Sequence, residues 1–372
     1  MPSDRRVVMQ DQAAEDFKAF AKRYGGVFDL RAFDHPSSPQ RWIGEILGGL
    51  ETLTRSYVGD RNGRGEAYAA ESGLFENMEV NGAASRRSSG YLFGMTLGVP
   101  LRLANATLLL AHDEAFEPRT TAIDYLLSAP PSAEDPEGFE AVIMEAADPQ
   151  ALAWSRSMTF FSVGFVWMHE AFHTLIGHVD FARDILGLDM DELSLTANDP
   201  FYHEVLQAME LDADGAALTN FCLTVAGRPR FGICADGNLD PPYRVAQAAE
   251  GAFIALAAIE GRRSALTHAS ETSHPWPSRR IASARGLLST FERRGHLPKG
   301  TMVELARRIE RLLPHIQNPQ ILSLLSVLTT DGKVAEGDAG RLSELIQLGR
   351  SELKVFEETS FAPRVRLNGP SN

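Results

Sequence analysis

An α+β protein, mainly α-helical, is predicted by three observations. Apolar residues recur at helical spacing through most of the chain, Asp-Pro pairs mark the start of two long apolar stretches, and one segment, Tyr91 to Ala111, reads as short strands. The 372 residues correspond to one large domain or two to three small ones, enough to bury a substantial core. With 44% hydrophobic and 23% charged residues the composition is that of an ordinary globular chain, which excludes collagen-like, low-complexity or mostly disordered classes.

The first element follows from Ala14, Phe17, Phe20 and Ala21, whose spacing predicts a helix over Gln10 to Arg23, and a second helical pattern covers about Pro39 to Tyr57. The polar stretch Gly59 to Gly65 is a loop without the Lys-Ser or Lys-Thr ending of a phosphate cradle. Tyr91 to Ala111 mixes β-branched, aromatic and aliphatic residues with Gly94, Gly98 and Pro100, which predicts two short strands or a bent hairpin. Ala129 to Gly138, rich in Pro, Ser and acidic residues, reads as a linker. Asp148 and Pro149 are an N-cap and first helical residue for a pattern running to about Leu186, with an interruption expected near Ser162 to Gly164. Asp199 and Pro200 start a helix through about Thr224, Ala246 to Glu260 forms another, and helical patterning resumes from Thr301 to the mid-350s. Leu342, Leu345, Ile346 and Leu348 form an apolar stripe there, the pattern of a core face.

Charge and cysteine content narrow the function. Lys plus Arg number 36 against 49 Asp plus Glu, and the net charge of −13 opposes a general electrostatic affinity for nucleic acid or anionic lipid. Only Cys222 and Cys234 are present, which argues against a disulfide framework and fits a reducing, cytoplasmic location. The N-terminal MPSDRRVVMQDQ lacks the apolar stretch of a cleaved signal. The longest nearly apolar run, Met158 to Met168, is 11 residues, whereas a spanning helix needs about 20, so no membrane span is expected.

The chemistry is concentrated in Phe165 to Val179, FVWMHEAFHTLIGHV, where His169, Glu170 and His173 form His-Glu-x-x-His on a predicted helix. At about 100° per residue His173 lies about 40° from His169 and one turn along, so two imidazoles reach one metal ion while Glu170 flanks that face. A Zn²⁺ site with two His, one carboxylate and an open position lowers the pKa of bound water towards neutrality, and Glu170 is placed to take its proton. A chance match of this spacing is expected in roughly 0.02 chains of this composition, so the motif asks for corroboration from a third ligand.

Glu210 and Asp214, on the helix after Pro200, supply it. Four residues apart and hence on one face, one can ligate the ion while the other orients a His ligand, and Ala208, Ala213, Gly215, Ala216 and Ala217 point to close helix packing rather than a solvated acidic face. The rival ligand His178 lies about 180° from His169 on a continuous helix, which makes it structural or supporting. His203 lies about 20° from Glu210 and can line the same cleft. Ser273-His274-Pro275, followed by Arg279 and Arg280, reads by itself as a capped helix start.

Taken together, His169, Glu170 and His173, then Glu210-x-x-Ala213-Asp214, then Ser273-His274-Pro275 with Arg279 or Arg280, resemble the gluzincin metallopeptidases, particularly the HtpX-like and CAAX prenyl protease group and the phage exclusion protein Lit group. The resemblance covers about Met158 to Leu288 and departs from the pattern at Phe172, where Gly is frequent, and in lacking membrane helices. It implies a zincin-like catalytic core with a small sheet on the active-site helix. His169, His173 and Glu210 would hold zinc, Asp214 would support a ligand, Glu170 would be the general base, and His203, Tyr202 or His274 would stabilise the oxyanion. The strands within Tyr91 to Ala111 would offer the edge that aligns an extended protein or peptide substrate. The chain then divides into an N-terminal helical region with the small sheet (1–130), the metallopeptidase core (139–290), a C-terminal helical region (300–360) and a disordered tail (362–372). The alternative is a zinc-binding regulatory or interaction module of the same fold without turnover, although a structural site has no need of Glu170.

Overall fold

The computed structural model describes residues 3–33, 41–55, 57, 60–62, 64–79, 81–111, 149–187, 190, 200–227, 240–260 and 277–315. Helices α1 (Ser3–Ala21) and α2 (Arg41–Arg55) precede strands β1 (Ala70–Phe75), β2 (Gly82–Arg87) and β3 (Gly90–Thr96) and helix α3 (Gly98–Ala111). After them come α4 (Pro149–Leu175), a short α5 (His178–Phe181) continued by a π-helical turn over Ala182–Leu186, α6 (Pro200–Gly227), α7 (Pro241–Glu260), α8 (Pro277–Arg293) and α9 (Thr301–Leu312). The molecule is thus mainly helical with a small three-stranded sheet. Among the described residues no helix is long and apolar enough to cross a membrane.

Helix α4 is the packing axis. Met158, Phe160, Phe161, Val163, Phe165, Val166, Trp167 and Met168 are all buried, as befits a helix that is apolar on every side. Helices α3, α6 and α7 pack along it, and β2 and β3 lie against it. Small residues permit the close crossings: a Cβ on Gly251 of α7 would fall 2.5 Å from Phe161 Cβ, and one on Gly164 would fall 2.6 Å from the Phe221 ring of α6. Helices α4, α6, α7 and α8 all open on a proline, whose missing N–H would have no intrahelical partner in the first turn.

The strand order is β1-β3-β2, with β1 parallel and β2 antiparallel to β3. Alternation along β3 serves two layers: Tyr91, Phe93 and Met95 join the main core, where Phe93 meets Trp167 edge to face at 5.4 Å, while Leu92 packs with Phe17 and Phe20 of α1. One cluster of buried apolar side chains runs from Ile43 of α2 through Phe93, Trp167, Phe221, Phe253 and Leu288 to Ile309 of α9, so all three regions inferred from the sequence contribute to it.

Several expectations are corrected. The Tyr91 to Ala111 segment is a strand only to Thr96; Gly98 to Ala111 is helix α3, and Pro100 sits in its first turn, where proline is tolerated. β1 and β2 lie earlier, in AESGLF and GAASRR, whose small and charged residues carry little strand signal. Nor is α4 interrupted at Ser162 to Gly164, because Gly164 is accommodated by close helix packing against Phe221; the break falls at Ile176 and Gly177, the latter with φ of 86°. The segments 129–138, 316–360 and 362–372 lie outside the described residues.

One buried ion pair joins α7 to α9. Arg308 donates to the Glu250 carboxylate and stacks 4.6 Å above the centroid of Tyr243, with both charged side chains inaccessible. Arg308→Ala leaves the Glu250 carboxyl buried without its cation, and urea denaturation of this variant is expected to give a loss of about 3–5 kcal/mol.

Candidate metal centre

The centre is built on facing stretches of α4 and α6. His169 and His173, one turn apart, share the face of α4 that meets α6, and Glu210 answers from the opposite helix. His169 Nε2 and His173 Nε2 are 3.0 Å apart, and each lies 3.3 Å from an oxygen of Glu210. Donor atoms held about 2.0–2.1 Å from one tetrahedral ion lie roughly 3.3 Å from one another, so the three side chains fit a single cation. All three are buried and form a group that can hold a metal ion.

Asp214, one turn beyond Glu210, stands behind the first histidine. Its Oδ1 is 2.9 Å from His169 Nδ1, which aims Nε2 of His169 at the centre. Arg280 of α8 grips the same carboxylate with two 2.6 Å hydrogen bonds, from Nε to Oδ2 and from Nη2 to Oδ1. Burial alone would raise Asp214, but Arg280 and His169 outweigh it and hold the carboxyl below the ordinary aspartate range. Of the two arginines singled out in the sequence, Arg280 is seen to reach the site. With His169 neutral, as it is when it ligates, Glu210, Asp214 and neighbouring Glu170 against Arg280 leave two net negative charges, the complement of a divalent cation.

Glu170 follows His169 on α4 and is half-buried at the start of the sheet. A Cβ on Gly82, the first residue of β2, would fall 2.2 Å from Glu170 Oε1 and 2.5 Å from its Cδ, so the carboxylate lies directly on bare strand backbone. Strand β2, not a strand within Tyr91 to Ala111, is the edge beside this carboxylate; β3 is central. Thr96 N donates to Asn81 O at 2.9 Å, which makes Asn81 and Thr96 a hydrogen-bonded pair. The N–H and C=O groups of Gly82, Ala84 and Arg86 consequently point away from β3, where among the described residues no strand pairs with them, although the Gly82 N–H donates to Asn81 Oδ1 at 3.0 Å.

His178 is not on the far side of a continuous helix. The left-handed Gly177 ends α4 and swings His178 back, so that its Nδ1 lies 3.0 Å from Nδ1 of His173 and its Nε2 lies 3.5 Å from Oδ2 of Asp212. Burial drives His178 down to about 4, so it is a neutral imidazole, and burial likewise lowers His173. Asp212, Gly82 and the turn at Gly177 were missed from the sequence; Gly177 was the available signal, as a helix-ending residue directly before a histidine. His203 lies in the first turn of α6, but its side chain and that of Tyr202 are outside the described residues, as is the whole of Ser273, His274 and Pro275.

No family model matches the chain, and no curated protein or solved structure matches it significantly.

Protonation follows from the same contacts. Burial opposes an imidazolium at His169, but the carboxylates of Glu210 and Asp214 prevail and raise it to about 10. Below that pH His169 carries a proton that an entering cation must displace, whereas His173 is already neutral. Zinc titrated at pH 7.5 into chelator-treated protein should therefore release about one proton per ion, read by calorimetry in buffers of different ionisation enthalpy, and apparent affinity should rise about tenfold per pH unit from 6.5 to 8.5. Affinity independent of pH over this range would contradict the protonated His169.

Proposed function

We propose that the protein is a zinc-dependent endopeptidase with a zincin-like core. The observation that carries this reading is the combination of the His169, His173 and Glu210 triad with Glu170 set against the start of β2, an edge with which no strand pairs among the described residues. Two imidazoles and a carboxylate suit zinc, which when held there supplies Lewis acidity and brings the pKa of water towards neutrality. The resemblance of His-Glu-x-x-His and Glu-x-x-Ala-Asp to the gluzincin motifs supports the same reading.

The remaining steps belong to the chain. A peptide in extended form adds alongside β2 through the outward N–H and C=O groups of Ala84 and Arg86 and the Gly82 carbonyl, which carries its backbone past Glu170. Glu170 takes the proton of the attacking water and delivers it to the leaving amine. Asp214 and Arg280 keep His169 in its ligating tautomer. His203 and His274 remain the proposed donors to the oxyanion.

Metal analysis by mass spectrometry should give one zinc per chain in wild type, with zinc lost from His173→Ala and Glu210→Ala. Zinc-loaded wild type, incubated with a proteome-derived peptide library, should generate new termini that Glu170→Gln, still fully zinc-loaded, does not. Cleavage by Glu170→Gln at the wild-type rate would remove Glu170 as the base, and zinc binding without any cleavage by wild type would replace the endopeptidase by a zinc-binding interaction module. A second variant probes the strand contact: Gly82→Ala forces the Glu170 carboxylate to move and should lower kcat on the library-derived substrate by about 10- to 100-fold at unchanged zinc content.

A further inference from the structure

We infer that His178 and Asp212 are positioning residues for the second metal ligand, forming a chain that sets the tautomer and ring orientation of His173. The inference rests on the reading of His169, His173 and Glu210 as a metal centre. An imidazole that ligates through Nε2 must carry its proton on Nδ1, and in His173 that Nδ1 is buried and faces Nδ1 of His178 at 3.0 Å. Two nitrogens at this separation share one proton, so His173 donates and His178 accepts. His178 must then hold its own proton on Nε2, and that atom lies 3.5 Å from Oδ2 of Asp212. The proton positions are thereby specified from end to end: His178 holds its Nε2 proton towards the Asp212 carboxylate, at electrostatic rather than hydrogen-bonding range, and accepts from His173, whose Nε2 lone pair is left for the cation.

The two ligand histidines are supported differently. His169 is backed directly by a carboxylate that Arg280 neutralises, and His173 by a fully buried neutral ring whose own support is a carboxylate about 43% exposed at its side chain. The neutral ring adds no further buried charge next to Glu210 and Asp214, where a third carboxylate in place of His178 would need its own counter-charge. Gly177 makes the arrangement possible, since only the break at this residue brings position 178 onto position 173.

The test is metal affinity and the visible spectrum of the cobalt-substituted protein, neither of which depends on turnover. His178→Phe fills the space without an acceptor for His173 Nδ1; it should weaken zinc binding by about 10- to 100-fold in competition with a chromophoric chelator and change the cobalt d–d bands. His178→Gln, which can still accept, should recover part of the affinity and the wild-type band shape. Asp212→Ala should weaken zinc in the same direction, with Asp212→Asn restoring it, and this half-exposed pair decides the matter if His178→Phe does not fold. Wild-type affinity and spectrum in His178→Phe or, failing that variant, in Asp212→Ala would overturn the inference while leaving the centre intact. Wild type that takes up neither zinc nor cobalt would instead overturn the metal reading and this inference with it.

Discussion

The bidentate contact of Arg280 with Asp214 is the interaction on which the centre depends. Bringing Glu210 and Asp214 into a water-poor space between α4 and α6 is unfavourable for two like charges, and the guanidinium of α8 offsets that cost where it is largest. Its planar fork also fixes the carboxylate plane, and the carboxylate plane fixes the imidazole of His169. Three helices distant in sequence are thus held by one polar junction within an otherwise apolar core. Lysine at position 280 would supply the charge but not the two parallel bonds, and the orientation of His169 would be lost with them.

Around this junction, packing does what charge cannot. The apolar girth of α4 and the close approaches at Gly164 and Gly251 set its distance from α6 and α7. The sheet and the residues just before it contribute a second set of ties: Tyr68 OH meets Thr174 Oγ1 at 2.7 Å and Tyr91 OH donates to Asp180 at 2.8 Å, both near the C-terminal end of α4. Arg86 of β2 adds an ion pair to the same Asp180. The strand edge is therefore held against the helix that carries Glu170 by side chains just beyond the two ligand histidines.

The parts of the site that were legible in the sequence are those governed by local helical geometry. His169 to His173 and Glu210 to Asp214 are each four residues apart, and four residues on a helix share a face whatever surrounds them. The pairing of the two helices was readable only through the company these residues keep, Ala213, Gly215 and Ala217 among them. What could not be read depends on tertiary approach: Asp212 points away from Glu210 along its own helix, yet reaches His178 because that residue lies beyond a break. Gly82 is silent as a letter and acquires meaning only when Glu170 occupies the space a side chain would need. For the sheet, the local signal misled, since the aromatic residues of β3 were recognised while β1 and β2, built largely from Gly, Ala, Ser and charged residues, offered nothing to periodicity.

Gly177 shows how unevenly a fold distributes the consequences of change. With φ at 86° it occupies a conformation in which an L side chain is disfavoured by about 1–2 kcal/mol, a cost that a core of this size absorbs. A relaxation of that backbone towards ordinary helix would nonetheless rotate His178 away from both His173 and Asp212. Natural selection at this position would accordingly act on the alignment of imidazole rings rather than on the persistence of the fold. Drift at the elbow would yield a protein that is well folded, abundant and silently misaligned.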